Sequence, residues 1–327
     1  MHRRSLAELD HATSAWNRAA AQAAQIDPFC CRTEWQFSFH EAFYPHLPLH
    51  LRERAGSIIA FAEHDDAGFG PLLAPVESHW LFGSPLLGTD AVALLTEFLA
   101  ERTGDGPSPS LLLSGLSADG PTVGAITASF GRRYLIHRLA PTTLCSASLA
   151  GGLDGYLSRR SGSWRRNLGQ AARRAAALGV TFERCRPRDA EHAAAVYDRM
   201  IAVERTSWKG IGRCGMAEPP SLDFYGRMLR RLAASGGGRV MFARHEERDI
   251  GFIFGGLAGA VYRGQQFSYA EEWSRCSIGN LLQLEQLRWL CEEGIGRYDM
   301  GPDMPYKQHW TEIRTDIEAR LLQPRSR

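Results

Sequence analysis

Lysine is nearly absent from this chain. Of its 38 basic residues only Lys209 and Lys307 are lysines, and the rest are arginines. Arginine is locked in its charged form, whereas lysine is a compact charge whose proton affinity shifts readily, so both positions are candidates for work arginine cannot do. Chance survival in an arginine-biased chain is the bland alternative. The seven cysteines are an odd set without a C-x-x-C pair. No histidine spacing suggests zinc, so a reduced, metal-free cytoplasmic protein is expected. No run approaches the ~20 apolar residues of a membrane span. The longest, Ile250 to Tyr262, is interrupted by four glycines. Met1 to Asp27 lacks the compact apolar block and cleavage site of a secretory signal. Charge of one sign is also scarce: the net charge is +2, so binding to DNA or another polyanion by bulk electrostatics is not expected, and any anion site must be local. G-x-S-x-G, P-loop and dinucleotide fingerprints are missing, which removes the basis for hydrolase, kinase or dehydrogenase readings.

What is present is enough apolar residue, 44% of 327, for one large core or two moderate ones, and the length favours two domains. Ser5 to Gln25 reads as a helix opened by the capping box Ser5-x-x-Glu8. Thr33 to Phe43 is a second helix, followed by strands at Leu49 to Glu53, Ser57 to Glu63 and Ser78 to Phe82, a helix at Asp90 to Arg102, and strands at Ser110 to Leu116 and Arg133 to Leu139. The small-residue stretch Thr142 to Gly155 reads as a crossover or linker, giving domains 1–150 and 151–327. The second half reads as helix 163–178, strand 180–185, helices 189–205 and 222–234, strands 239–244, 250–257 and 261–270, helix 280–293, strand 297–300, a helical turn at 306–312 and a last strand, 317–323. Both halves share a helix, helix, meander, helix, strand order, which suggests structural duplication.

Several pieces of the second half form a recognisable set. They are Trp164-Arg165-Arg166-Asn167-Leu168 with the arginine-rich helix after it, Glu204-x-x-x-Trp208-Lys209-Gly210, the meander Gly251 to Tyr269, and the block Tyr298-Asp299-Met300-Gly301 followed by Tyr306-Lys307-x-x-Trp310. From about Leu153 onward they resemble the CelD/BcsL-type acetyltransferases of the GNAT superfamily and the related Fem aminoacyl-transferases. The resemblance implies an α/β fold of tandem GNAT-like (acyl-CoA N-acyltransferase) domains, each a mixed sheet flanked by helices, with a supporting or substrate-binding first domain and a catalytic second one. It also implies transfer from acyl-CoA or acetyl-CoA to an amine or hydroxyl of a small molecule or envelope precursor. The rival donor is an aminoacyl-tRNA, as in the Fem branch, and a third reading is a catalytically silent binding module.

Each candidate residue has a structural alternative. The loop Arg275-Cys276-Ser277-Ile278-Gly279-Asn280, with one glycine, opens a helix whose amides and dipole suit a cofactor phosphate, or it is an ordinary cap. Arg165 and Arg166 suit an anionic substrate, or belong to a solvated face. Glu204 is a base for the acceptor amine, or a surface partner of Arg205 or Arg199. Asp299 faces the sheet opening, or holds amides around Gly301. Tyr269 returns a proton to the leaving group, or bonds a carbonyl, and Gln265 shares its face if the strand is regular. Lys307 meets developing negative charge, as the Fem resemblance implies, and Lys209, Trp208 and Tyr306 line the same cleft. The alternatives are exposed charges and a core indole, and Trp164 and Trp310 read as core. Covalent catalysis by Cys276 has no support in the sequence.

Overall fold

The structure is a computed structural model and describes residues 13–22, 26–66, 68, 70–102 and 108–325. The expected capping box at Ser5 lies outside the described residues. The first half runs α1 (Thr13–Gln22), α2 (Thr33–Phe43), β1 (Leu49–Arg54), β2 (Ser57–Asp66), β3 (Gly70–Pro75), β4 (Leu86–Leu87), α3 (Ala91–Arg102), β5 (Ser110–Leu116), α4 (Pro121–Phe130) and β6 (Tyr134–Arg138). The second runs β7 (Thr142–Ser148), α5 (Gly152–Ser158), α6 (Gly162–Ala177), β8 (Val180–Cys185), α7 (Ala190–Thr206), α8 (Trp208–Ile211), α9 (Ser221–Ala234), β9 (Gly238–His245), β10 (Arg248–Ala258) and β11 (Val261–Tyr269). It ends with α10 (Ile278–Glu292), β12 (Arg297–Pro302) and β13 (Ile313–Pro324), with 3-10 turns at Glu271–Cys276 and Pro305–His309.

The chain divides into two compact units, residues 1–143 with 315–327 and residues 144–314. In the first, the sheet order is β1-β2-β3-β5-β13, with β4 beside β2 and β6 beside β13. All its pairs are antiparallel except β3 with β5. Its core gathers Phe61, Leu73, Leu95, Phe98 and Leu111 in one cluster and Trp16, Phe37, Ile58 and Ala60 in another. In the second unit the order is β7-β12-β11-β10-β9-β8, again with one parallel pair, β11 with β12. Its core is built from Met241, Ile253, Tyr262, Leu282, Trp289, Tyr298 and Trp310. Each unit is therefore a mixed sheet with helices packed on it, and the meander–helix–parallel-strand order recurs in both. Among the described residues no helix is long and apolar enough to cross a membrane.

Three expectations change. Thr142 to Gly155 is not a linker: β7 pairs with β12, and its small residues Cys145 and Ala147 are fully buried. The last strand pairs with β5 and β6, so the sheet of the first unit is completed by the end of the chain. Ser78 to Phe82 is not a strand, because the buried Glu77 carboxylate accepts the N–H groups of His79, Trp80, Leu81 and Phe82 that a ladder would need.

Candidate active site

The parallel ladder of β11 and β12 covers only Val261–Arg263 against Arg297–Asp299. Beyond it both strands are irregular. On β11 the partners step from Gly255↔Gly264 to Phe254↔Gln266, leaving Gln265 as the extra residue. On β12 they step from Asp299↔Ser146 to Gly301↔Cys145, leaving Met300. Bulges interrupt pairing and re-aim side chains. Here they mark a fork at the carboxyl ends of two adjacent parallel strands, the place where α/β sheets hold ligands.

Arg263 and Asp299 fill the base of the fork. Both are buried, with Nε 3.6 Å from Oδ1. Gly301 has φ 75°, and a Cβ there would lie 2.3 Å from Arg263 Nη1, so glycine is required twice over. Its N–H donates to Asp299 Oδ1 at 2.9 Å. Asp299 thus fits the loop-amide alternative, with the Arg263 charge as a second partner.

The turn after β12 carries Tyr306 and Lys307. The Lys307 ammonium is buried and donates to Pro302 O at 2.6 Å. Burial and then the Arg263 charge lower its pKa from 10.5 to about 8. Lys209, on α8, donates to Phe267 O at 2.8 Å and to Gln266 Oε1 at 3.2 Å, and lies 3.8 Å from Glu204 Oε1. Burial lowers its pKa, and Glu204 opposes the shift. The Phe267 ring joins the two lysine-bearing turns: it lies 5.3 Å edge-on from Tyr306 and 6.0 Å from Lys209 Nζ.

Glu204 is not a surface residue. It is fully buried, its Oε1 accepts the Met216 N–H at 3.0 Å, and its Oε2 has no hydrogen-bond partner among the described residues. Arg199 is engaged by Glu183 and Asp249 instead. The last turn of α7 is turned inward, so the carboxylate meets Lys209 rather than an arginine.

Ser277 opens α10 with φ 58° and no side-chain cap, so the ordinary-cap alternative fails for it. Ile278 is buried and can offer only its backbone, while Arg275 and Asn280 are exposed. A Cβ on Gly279 would come within 3.0 Å of Phe267 and 3.1 Å of Tyr269, which sets Tyr269 against the start of α10. Trp208 is 58% exposed and so is not a core indole, whereas Trp310 is buried edge-on against Trp164.

Two candidates lie elsewhere or act differently. Gln265 is the bulge residue, so the regular alternation assumed for it is broken. Gln266 instead bridges Lys209 and the Tyr225 hydroxyl, to which its Nε2 lies at 2.7 Å. Arg165 and Arg166 line a separate groove on α6. Sequence reasoning missed Arg263, Gln266, Phe267 and Tyr225. The polar run Arg263-Gly264-Gln265-Gln266 inside an apolar strand was the available signal. Among the described residues no three His, Cys, Asp or Glu side chains gather as metal ligands would.

Residues 162–308 match the family described as Acetyltransferase (GNAT) domain. No curated protein matches the chain. Among solved structures, FemX superposes with a TM-score of 0.65 at 10% identity, covering 94% of this chain and 95% of that one. A conserved protein of unknown function from Bacteroides thetaiotaomicron VPI-5482 gives 0.63 at 10% identity over 98% of each chain. L-PGS from Bacillus licheniformis gives 0.58 at 15% identity, covering 93% of this chain and 95% of its own. At such identities the likeness is one of fold. The family match runs from the start of α6 to the turn that holds Lys307, so the part of the chain that is similar to a GNAT acetyltransferase domain encloses both strands of the fork.

Proposed function

We propose that the chain transfers an acyl group from an acyl-CoA to a primary amine or hydroxyl, by direct attack at the β11–β12 fork, as a CelD/BcsL-type acyltransferase. The observation that carries this reading is the convergence of the chain's two lysines, Lys307 buried and Lys209 half-buried, on the Phe267–Tyr306 ring pair beside the start of α10. An ammonium withdrawn from water destabilises the folded chain, so two at one cleft point to function.

In this reading the backbone amides of Ile278 and Gly279 face the donor's pyrophosphate. The acceptor's lone pair forms a bond to the acyl carbon, and negative charge grows on the carbonyl oxygen, which the Lys307 ammonium stabilises. The carbon–sulfur bond breaks with its electron pair on sulfur, and Tyr269 returns a proton to it. The proton lost by the acceptor passes toward the Glu204 carboxylate, whose Oε2 has no hydrogen-bond partner among the described residues, with the Lys209 ammonium beside it as its counter-charge. Asp299 holds the β12 bulge and Arg263 and is a positioning residue. Trp208 and Tyr306, both exposed, are walls for the acceptor.

A second donor is favoured by two observations. The loop before α10 has a single glycine, and the fold likeness to FemX and L-PGS extends over nearly the whole chain. An aminoacyl-tRNA would then supply the acyl group, and the carbon–oxygen bond to its ribose would break. Thermal stabilisation by CoA and acetyl-CoA, beside deacylated and aminoacylated tRNA at two salt concentrations, separates the donors. A shift with CoA alone supports the first. Salt-sensitive stabilisation by tRNA alone supports the second. A protein indifferent to all of them is a silent module, and the reading is withdrawn.

A further inference from the structure

The strongest feature that the fork leaves unused is α6. Between Ser158 and Thr181 the chain contains Arg159, Arg160, Arg165, Arg166, Arg173 and Arg174 and not one Asp or Glu, in a protein whose net charge is only +2. The arginines flanking the helix are neutralised. Arg159 and Arg160 share Glu312, Arg184 holds Glu292, and Arg186 holds Glu293. The four on α6 are exposed, and no carboxylate among the described residues pairs with them. The helix itself supplies no acid to this face.

The side chains of this face also leave space between them. Gly162, Arg165, Arg166, Gly169, Gln170 and Arg173 line a groove of about 390 Å³. The Arg166 and Arg173 guanidinium groups fold back over Gly162 and Gly169, where a Cβ would lie 3.3 and 3.7 Å from their Nη1 atoms. Two Gly-x-x-x-Arg steps seven residues apart place the guanidinium forks about 10 Å apart along the axis. The helix's apolar residues Leu168, Ala171 and Ala175 are buried in the core and Trp164 packs on Trp310, so little apolar surface is left for a lipid interface. Repeated planar cations without apolar anchors suit a ligand that presents phosphates in series.

We infer that the arginine face of α6 is a docking groove for the sugar–phosphate backbone of RNA. The inference rests on the aminoacyl-tRNA reading of the donor and deepens it by naming where the RNA lies. Non-specific phosphate contacts position such a ligand without reading its sequence.

The test is fluorescence anisotropy of a labelled, deacylated RNA hairpin titrated with the full chain from about 50 to 300 mM KCl. The variant is Arg165→Ala/Arg166→Ala/Arg173→Ala, and the control removes the same charge from exposed positions elsewhere, Arg132→Ala/Arg188→Ala/Arg230→Ala. Alanine favours the helix, and circular dichroism with the thermal midpoint checks the fold. Three lost phosphate contacts should flatten the log–log salt slope by about 3 and weaken binding more than about tenfold at the lowest salt, with the control little changed. RNA binding that survives in the variant, or falls equally in the control, overturns the groove and leaves the aminoacyl-tRNA reading standing. Wild-type protein that ignores RNA at low salt overturns both, and CoA stabilisation in that case returns the donor to acyl-CoA. Binding to phosphatidylglycerol vesicles in place of RNA, abolished by the same variant, reassigns the face to lipid and overturns the inference.

Discussion

Lys307→Met should make the protein more stable and inactive at once. The methionine keeps the length and apolar character of the stem and removes the ammonium. In the folded chain that ammonium titrates at about 8, against 10.5 for an ordinary lysine. At 1.36 kcal/mol per pH unit, holding the proton below pH 8 costs the fold about 3 kcal/mol. The donated hydrogen bond to Pro302 O returns roughly 1 kcal/mol, so the net gain on substitution at pH 7 is about 2 kcal/mol. The sign follows from proton counting. Between pH 8 and 10.5 the unfolded chain binds more protons at this site, so wild-type stability rises with pH across that window and the advantage of the variant shrinks. By pH 9.5 the penalty has fallen to about 1.4 kcal/mol and the two proteins should be nearly equal. Urea unfolding of both at pH 7.0 and 9.5, followed by tryptophan fluorescence, measures this. A variant that is less stable at pH 7, or a gap that does not change between the two pH values, refutes the placement of a buried, strained cation. Wild-type turnover, if it needs the ammonium, should decline as pH rises through about 8.

Glu204→Gln removes the buried carboxylate that pairs with the half-buried Lys209 and should cost about 3 kcal/mol; adding Lys209→Met should restore most of it, and a double-mutant cycle in urea reads the coupling. Gly279→Ala puts a methyl group 3.0 Å from Phe267 and 3.1 Å from Tyr269, so the Kd or KM for the donor should rise about tenfold while the thermal midpoint changes little; an unchanged donor affinity would separate this loop from the donor. Glu77→Ala strips the buried acceptor from four backbone N–H groups of a partly exposed turn, and at ~1 kcal/mol each the first unit should lose a large share of its stability, visible as an early transition in calorimetry.

The elements most legible in the sequence are those where local pattern and tertiary packing agree. Val180 to Cys185 and Thr33 to Phe43 have the bounds their periodicity indicates, and the meander and the helix after it lie within two residues of expectation. The scarcity of lysine led to the buried Lys307 and the half-buried Lys209 without any structural knowledge. What remained hidden depends on contacts distant in sequence. β7 reads as a linker because Ser, Thr and Ala carry no periodic apolar signal, yet small residues are what its buried positions beside β12 require. Glu204 reads as exposed because a helix-end glutamate usually is. Its burial comes from Gly215, eleven residues on, where a Cβ would sit 2.0 Å from Oε1. Gln266 lost to Gln265 by one residue, since an alternation rule fails wherever a strand contains an extra residue.

Comparison of the two forks explains why the proposed chemistry is assigned to one of them. In the first unit β3 and β5 pair in parallel at Leu72–Leu73 against Ser110–Leu111, as β11 and β12 do in the second. The register of β5 against β13 also slips, between Leu113 and Leu116, and the glycine there, Gly115, has φ 65°, matching the bulge and the φ of 75° at Gly301. The device is the same, but its surroundings are not. Ser114 donates to the carbonyl of Gly83, and a Cβ on Gly115 would lie 2.7 Å from the Gly83 backbone. The chain between β3 and β4, pinned by Glu77, therefore occupies the space a ligand would need. In the second unit the equivalent positions beside Gly301 are taken by Arg263, and the chain beyond β12 turns away to bring Lys307 in. One fork is filled by its own backbone and the other is lined by the buried Arg263 and Lys307, which is why the chemistry proposed above is assigned to the second.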